Sequence, residues 1–198
     1  MDRLTNFPLP LVTPRLIIRP PRLDAGRDAA LFFQAVQDSM LDIKPYLGWV
    51  TDPYTMYQAT GYVDGCVNNW QTRSDNDTGL SLWIMDSKDQ AFIGHIVIWN
   101  IDWQLPKCEL GFWINHAYAG QGFMHEALYY TTYLCLDLGM QRVEVRCENT
   151  NQRVHHLMHQ LNFKLDGILP KAVLGVKTRL PTDVALYSCT EKILCPKI

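Results

Sequence analysis

The stretch Glu109-Leu110-Gly111-Phe112-Trp113-Ile114-Asn115-His116-Ala117-Tyr118-Ala119-Gly120-Gln121-Gly122-Phe123-Met124-His125-Glu126-Ala127-Leu128 reads as a strand, a glycine-containing loop and a helix opening, in that order. Glycines at 120 and 122 let the backbone turn so that successive N–H groups point into one concavity. The exposed amides and positive dipole end of the following helix favour an anion there, and a pyrophosphate is the right size. Taken alone, Gly120-x-Gly122 is also what the sterics of many strand-to-helix turns require. The spacing is not that of the nucleotidase phosphate loop, and the third glycine of a dinucleotide fingerprint is missing.

Outward from this stretch the pattern alternates. Upstream, Leu80 to Met85 and Ala91 to Trp99 read as a hairpin around Asp86-Ser87-Lys88-Asp89, and Lys107 to Ile114 completes a meander. Downstream, Met124, Ala127, Leu128, Thr131, Leu134, Cys135 and Leu138 share one helical face that Gly139 ends. A strand over Arg142 to Cys147 follows, then a helix over Gln152 to Leu161 with Asn162 as its left-handed cap. Strands over Phe163 to Ile168 and Asp183 to Thr190 close the chain. Nearer the start, Arg15 to Arg19 reads as a strand stopped by Pro20-Pro21, and Leu23 to Val36 as a helix capped by Asp24. Leu41 to Trp49 reads as an ordered loop. A helix capped by Thr51-Asp52-Pro53 comes next, with apolar face Ala59, Val63, Cys66, Val67 and Trp70, ended by the polar run 72–78. The sum is β-α-α-β-β-β-α-β-α-β-β, a mixed sheet with helices on both faces.

Composition narrows the function. With 198 residues, 47% apolar and 19% charged, the chain can bury one sizeable core, and no repeat or linker divides residues 1–198. A formal charge of -2 gives no bulk attraction to phosphate-rich polymers, so no direct nucleic-acid contact is expected. Met1 to Pro8 lacks the layout of a secretory leader and no apolar run is long enough to span a membrane, so a cytoplasmic, membrane-free protein is expected. Six widely spaced cysteines, Cys66, Cys108, Cys135, Cys147, Cys189 and Cys195, read as free thiols. His155 and His159 are spaced to share a metal but have no Glu or Cys ligand nearby, so no metal is expected. Trp49, Trp70, Trp99 and Trp103 read as core or groove-rim residues.

Ala119-Gly120-Gln121-Gly122-Phe123-Met124 resembles the acetyl-CoA loop of GNAT acetyltransferases, [Q/R]-x-x-G-x-[G/A], with departures at Ala119 and Met124. The G-x-G-hydrophobic-Met form, followed by His125-Glu126-Ala127-Leu128, is similar to the RimJ/RimL branch of ribosomal-protein N-terminal acetyltransferases. So are Thr13-Pro14-Arg15-Leu16-Ile17-Ile18-Arg19, Lys44-Pro45-Tyr46-Leu47-Gly48-Trp49, Ile93-Gly94-His95-Ile96 and Asp183-Val184-Ala185-Leu186-Tyr187-Ser188. The resemblance implies one acetyltransferase domain with a mixed, mostly antiparallel α/β (α+β) sheet of about seven strands, flanked by four helices and splayed between the fourth and fifth strands. It implies acetyl-CoA as cosubstrate, held by Gly120, Gln121, Gly122, Phe123 and Met124, by backbone groups of Phe112, Trp113 and Ile114, and by Asn151.

Glu109, a carboxylate inside an otherwise apolar strand, is the candidate base, since burial raises a carboxyl toward working range. The helix after the fifth strand matches the family pattern through Asn151, Val154, Leu157, Met158 and Phe163. Met158 stands where many relatives carry a tyrosine acid and Val154 where serine is frequent, so no acid for the thiolate is assigned. The resemblance implies a protein N-terminal α-amine as acceptor. A small amine such as a polyamine or aminoglycoside, recognised through Asp42, Asp52 and Asp102, is the alternative, and a non-catalytic acyl-CoA binder is a third reading. Monomer and homodimer both stay open.

Overall fold

The computed structural model describes residues 8–72 and 79–191. Its elements are β1 (Leu11–Val12), β2 (Leu16–Arg19), α1 (Arg27–Ile43), α2 (Met56–Thr72), β3 (Leu80–Asp86), β4 (Phe92–Asp102), β5 (Lys107–Ile114), α3 (Phe123–Asp137), β6 (Arg142–Glu148), α4 (Gln152–Gln160), β7 (Lys164–Leu174) and β8 (Pro181–Cys189). They form one eight-stranded sheet in the order β1-β2-β3-β4-β5-β6-β8-β7. Every neighbouring pair is antiparallel except β5 and β6, which α3 joins as a crossover.

The strands are apolar on both sides because both sides are covered. Along β3, Leu80, Leu82 and Ile84 pack in one core with Met124, Ala127 and Leu128 of α3 and Met158 of α4. Trp83 and Met85 of the same strand pack on the other face with Phe32 and Val36 of α1 and Ala59 and Val63 of α2. Phe32, fully buried, centres this second core, with ring centroids 5.0 Å from Tyr62 and 5.2 Å from Trp83. His95 lies in the same aromatic box, and burial pushes its imidazole down to about 3, so it is a neutral packing group there. None of the helices is long and apolar enough to cross a membrane among the described residues.

The structure departs from the sequence reading at several boundaries. The eighth strand is β1, a two-residue pairing with β2 too short to leave a periodic signal. The first helix starts at Arg27 instead of Leu23 and runs through Leu41 to Ile43, residues expected in the loop; Asp24 still accepts the Asp28 N–H at 3.0 Å. The second helix is capped by Thr55, not by Thr51-Asp52-Pro53. The Thr55 hydroxyl accepts the Gln58 N–H at 3.3 Å while the Gln58 side chain accepts the Thr55 N–H at 2.9 Å, a reciprocal capping box. β7 extends to Leu174, six residues beyond its expected end. Asn162 does adopt the left-handed conformation, with φ 57°. The five cysteines among the described residues are free thiols; Cys195 and the polar run at 73–78 lie outside them.

A buried ion-pair cluster ties β2, α1 and the β3–β4 turn together. Arg19 of β2 is 1% exposed and donates to both oxygens of Asp28, at 2.7 and 2.8 Å, and to Asp89 in the β3–β4 turn at 2.7 Å. Removing one partner of such a pair strands a charge in the interior. Asp28→Ala is expected to lower the free energy of unfolding by about 3–5 kcal/mol in urea titration; a loss below about 1 kcal/mol would show that the Arg19 charge is satisfied without Asp28.

Candidate active site

The site begins where two strands part. β5 and β6 pair at Lys107↔Arg142, Cys108↔Val143 and Glu109↔Glu144, and no further. Beyond Glu109, β5 stays bonded to β4 up to Ile114, while β6 stays bonded to β8 up to Glu148. A wedge-shaped gap opens between them. The Asn115 N–H donates to Ile93 O at 2.9 Å, which fixes the phase of the β4–β5 ladder. By the two-residue alternation of an antiparallel pair, Gly111 and Trp113 turn their backbone groups toward β4, whereas Phe112 and Ile114 turn theirs into the gap. Of the three residues expected to offer backbone groups, Phe112 and Ile114 thus have theirs on the gap side. Trp113 instead places its side chain in the aromatic core.

The gap continues into a cleft of about 720 Å³. Its walls bring together Phe112, Trp113, Ile114, Gly120, Gly122, Met124 and Asn151 from the expected set, with Asp42, Tyr46, Leu47, His125, Arg153, Val154, His156 and Leu157 beside them. Gln121 and Phe123 do not line it. The loop turns at Gly120 and Gly122, whose φ of 75° and 77° are left-handed and cost a β-carbon residue strain. Gly122 caps α3 without a side-chain acceptor, so the first-turn amides have no intrahelical partner and the positive end of a 15-residue helix faces the cleft. Such an open helix end suits an anion the size of a diphosphate, and the free β5 edge suits an extended amide-bearing chain.

The N-terminal strand motif buttresses the loop. Arg15 donates to Gln121 O at 2.9 Å and to Glu126 Oε2 at 2.5 Å, and its guanidinium lies 4.4 Å from the Phe123 ring centroid. Thr13 Oγ1 donates to Glu126 Oε1 at 2.6 Å. Burial alone would raise the Glu126 carboxyl, but the bonds from Thr13 and Arg15 hold it below the usual carboxylate range. Gln121 and Phe123 thus shape the loop from behind. On the opposite wall, Asp42 of α1 accepts from Arg153 of α4 at 2.9 Å and lies 2.5 Å from His116 Nδ1. The Arg153 bond and then the His116 contact hold Asp42 below its ordinary range.

Glu109 sits at the apex of the wedge, on the sheet face opposite Phe112 and Ile114, which pack toward α3. It is 6% exposed and does not line the cleft. Asn100 Nδ2 donates to its Oε2 at 3.0 Å, and Arg146 Nε lies 3.5 Å from the same oxygen. Desolvation raises its pKa, the Asn100 bond and Arg146 oppose that rise, and Glu144 adds to it. Trp99, directly across the ladder and 40% exposed, borders it on the open face.

Asn151 caps α4, accepting the Val154 N–H at 3.3 Å, so a bond to a bound ligand must come from its amide nitrogen or its remaining lone pair. Met158 is fully buried and contributes no polar group. His155 is occupied by Tyr187 OH at 2.5 Å and Asn149 O at 3.0 Å, and no group of three metal-ligating side chains converges among the described residues. Sequence reading missed Asn100, Arg146, Arg15 and Arg153 as parts of the site. Only Arg15 left a signal, as the arginine of the opening strand motif, where it reads as part of a strand pattern.

Known proteins share this architecture. The solved structure of the microcin C7 self immunity acetyltransferase MccE in complex with acetyl-CoA and AMP superposes with a TM-score of 0.80 at 16% identity, over 94% of this chain and 99% of that one. RimL, a ribosomal L7/L12 alpha-N-protein acetyltransferase in complex with coenzyme A, gives 0.78 at 17% identity over 92% and 98%. Mycobacterium smegmatis RimJ in complex with CoA-disulfide gives 0.77 at 18% identity over 96% and 91%. At such identities the likeness is one of fold. No curated protein sequence matches the chain. The family model of the acetyltransferase (GNAT) domain matches residues 15–164, about three quarters of the chain, and the chain therefore belongs to the GNAT acetyltransferase family.

Proposed function

We propose that the chain acts as one acetyltransferase domain that moves an acetyl group from acetyl-CoA to the N-terminal α-amine of a protein. The observation that carries this reading is the β5–β6 gap, which joins a diphosphate cradle at Gly120–Met124 to a free strand edge ending beside a buried carboxylate. In this reading the diphosphate rests on the first-turn amides of α3, and the pantetheine arm runs along β5 with its amides on Phe112 and Ile114. Asn151 meets the arm from α4. RimL, whose described substrate is the L7/L12 α-amine, and RimJ share the fold, which supports the acceptor class.

The chemistry follows from the placement. The neutral amine attacks the thioester carbonyl from the open face of the sheet, an N–C bond forms, and the carbonyl electrons move onto oxygen. An N–H in the gap that the pantetheine amides leave free receives this charge, a contact typically worth about 3 kcal/mol in acyl transfer. The excess proton on nitrogen passes to Glu109, through water given how deeply the carboxylate lies. Collapse of the oxyanion breaks the C–S bond and releases a thiolate, an adequate leaving group with a pKa near ~8.5 for an alkyl thiol. An α-amine, titrating near ~8, gives up its proton more easily than a lysine at ~10.4, which suits a base at this depth.

The small polycation reading finds less support. Asp42 is paired with His116 and Arg153, Asp52 with Lys44 at 2.8 Å, and Asp102 accepts two backbone N–H groups of its own turn. None is left to form an acidic mouth.

Glu109→Gln is expected to lower kcat by about 100-fold while leaving coenzyme affinity unchanged. In the wild type, activity should fall as the pH drops through a limb above the ordinary carboxylate range, because a protonated Glu109 cannot accept the proton. Wild-type rates in Glu109→Gln, or a limb at the ordinary carboxylate pKa, would remove it from the mechanism. For the acceptor, mass spectrometry of peptides carrying ribosomal and generic N-termini should show an acetyl adduct on the α-amine. Unchanged peptide masses alongside acetylated polyamines would reassign the substrate.

A further inference from the structure

β4 contains an irregularity opposite Glu109. The ladder runs in register through Trp99↔Glu109 and resumes at Asp102↔Lys107, so β4 holds one residue more than β5 between those pairs. Within this bulge Asn100 has φ 48°, a left-handed conformation that asparagine tolerates better than most residues. Plain alternation would send side chain 100 to the face opposite Trp99 and Glu109. The bulge re-aims it to their face, where Nδ2 donates to Glu109 Oε2 at 3.0 Å. Arg146 Nε approaches the same oxygen at 3.5 Å, so the amide donor and the nearest approach of the guanidinium both fall on Oε2.

We propose that Asn100 is the positioning residue for Glu109: the β4 bulge presents its amide to Oε2 so that Oε1 is left to take the acceptor's proton. The inference rests on Glu109 as base, and it explains why an asparagine occupies a bulge that glycine would satisfy sterically. The other charged groups facing Glu109 are Lys107 on its own strand and Glu144 and Arg146 on β6. Lys107 and Arg146 favour the carboxylate and Glu144 disfavours it, while burial opposes ionisation. Asn100 is the neutral donor in this set, so it orients the group without adding charge.

Two variants separate donor from backbone. Asn100→Gly keeps the left-handed turn and deletes the amide, and Asn100→Asp keeps a side chain suited to that turn but sets a second carboxylate against Glu109. With ¹³C-carboxyl-labelled glutamate, the Glu109 resonance, identified by its loss in Glu109→Gln, should titrate at higher pH in Asn100→Gly and higher again in Asn100→Asp. With acetyl-CoA and an N-terminal peptide that the wild type acetylates, kcat/KM of Asn100→Gly should fall about ten-fold on the acid limb of the profile but less than about two-fold on its alkaline plateau. An unmoved Glu109 titration in both variants overturns the proposal, as does a loss of rate equal at all pH values. Failure of the base reading looks different: Glu109→Gln would then keep its rate while the Glu109 resonance still responds to position 100.

Discussion

The early end of the β5–β6 ladder is the constraint on which the site depends. A parallel pair that stops after three residues leaves polar backbone unpaired at the edge of a core, a state that costs free energy unless something else bonds it. Phe112 and Ile114 carry that demand. The strands can part there because each remains anchored on its other side, β5 to β4 and β6 to β8, and because α3 crosses between them and fills the apolar side of the wedge. In the proposed function, a ligand with alternating amides would complete a ladder that the chain itself leaves unfinished.

Electrostatics then divides the wedge into two ends. At the wide end, the open first turn of α3 and the left-handed glycines favour negative charge, and Arg15 holds the turn from behind without occupying it. At the apex the order reverses: a buried carboxylate is kept partly in check by Asn100 and Arg146, in reach of water from the face that Trp99 borders. In the proposed reaction, binding is thus concentrated where the backbone is free, and proton transfer where desolvation has made a carboxyl more basic. The Asp42–Arg153 pair joins α1 to α4 across the wall of the same cleft, so two helices that share no core are linked at the rim.

Much of this was legible in the order of residues. Periods of two and 3.6 placed every strand but β1 and all four helices, since both signals come from burial on defined faces, which the two cores reproduce. The glycine loop was legible because left-handed backbone leaves a residue-type trace, and Glu109 because a carboxylate within an apolar strand is conspicuous. Helix ends were less legible. The Thr55–Gln58 capping box competed with a nearby Thr-Asp-Pro run that reads equally well as a start, and Leu41 to Ile43 carry no signal that separates a last helical turn from a loop.

Which backbone groups face the gap could not be read at all, because it depends on the phase of pairing between β4 and β5. Asn100 was invisible for a related reason: its direction is set by one extra residue in a ladder, and a bulge of that kind has no period. Contacts such as Arg146 to Glu109 join residues 37 apart whose meeting is a result of the fold.

Amide hydrogen exchange on the protein with and without coenzyme A tests the unfinished ladder most directly. The account predicts slowed exchange at the Phe112 and Ile114 amides and across the first turn of α3 at 123–125, with Trp113, already bonded to β4, unchanged. Protection spread evenly along β5, or confined to the opposite sheet face around Glu109, would contradict it.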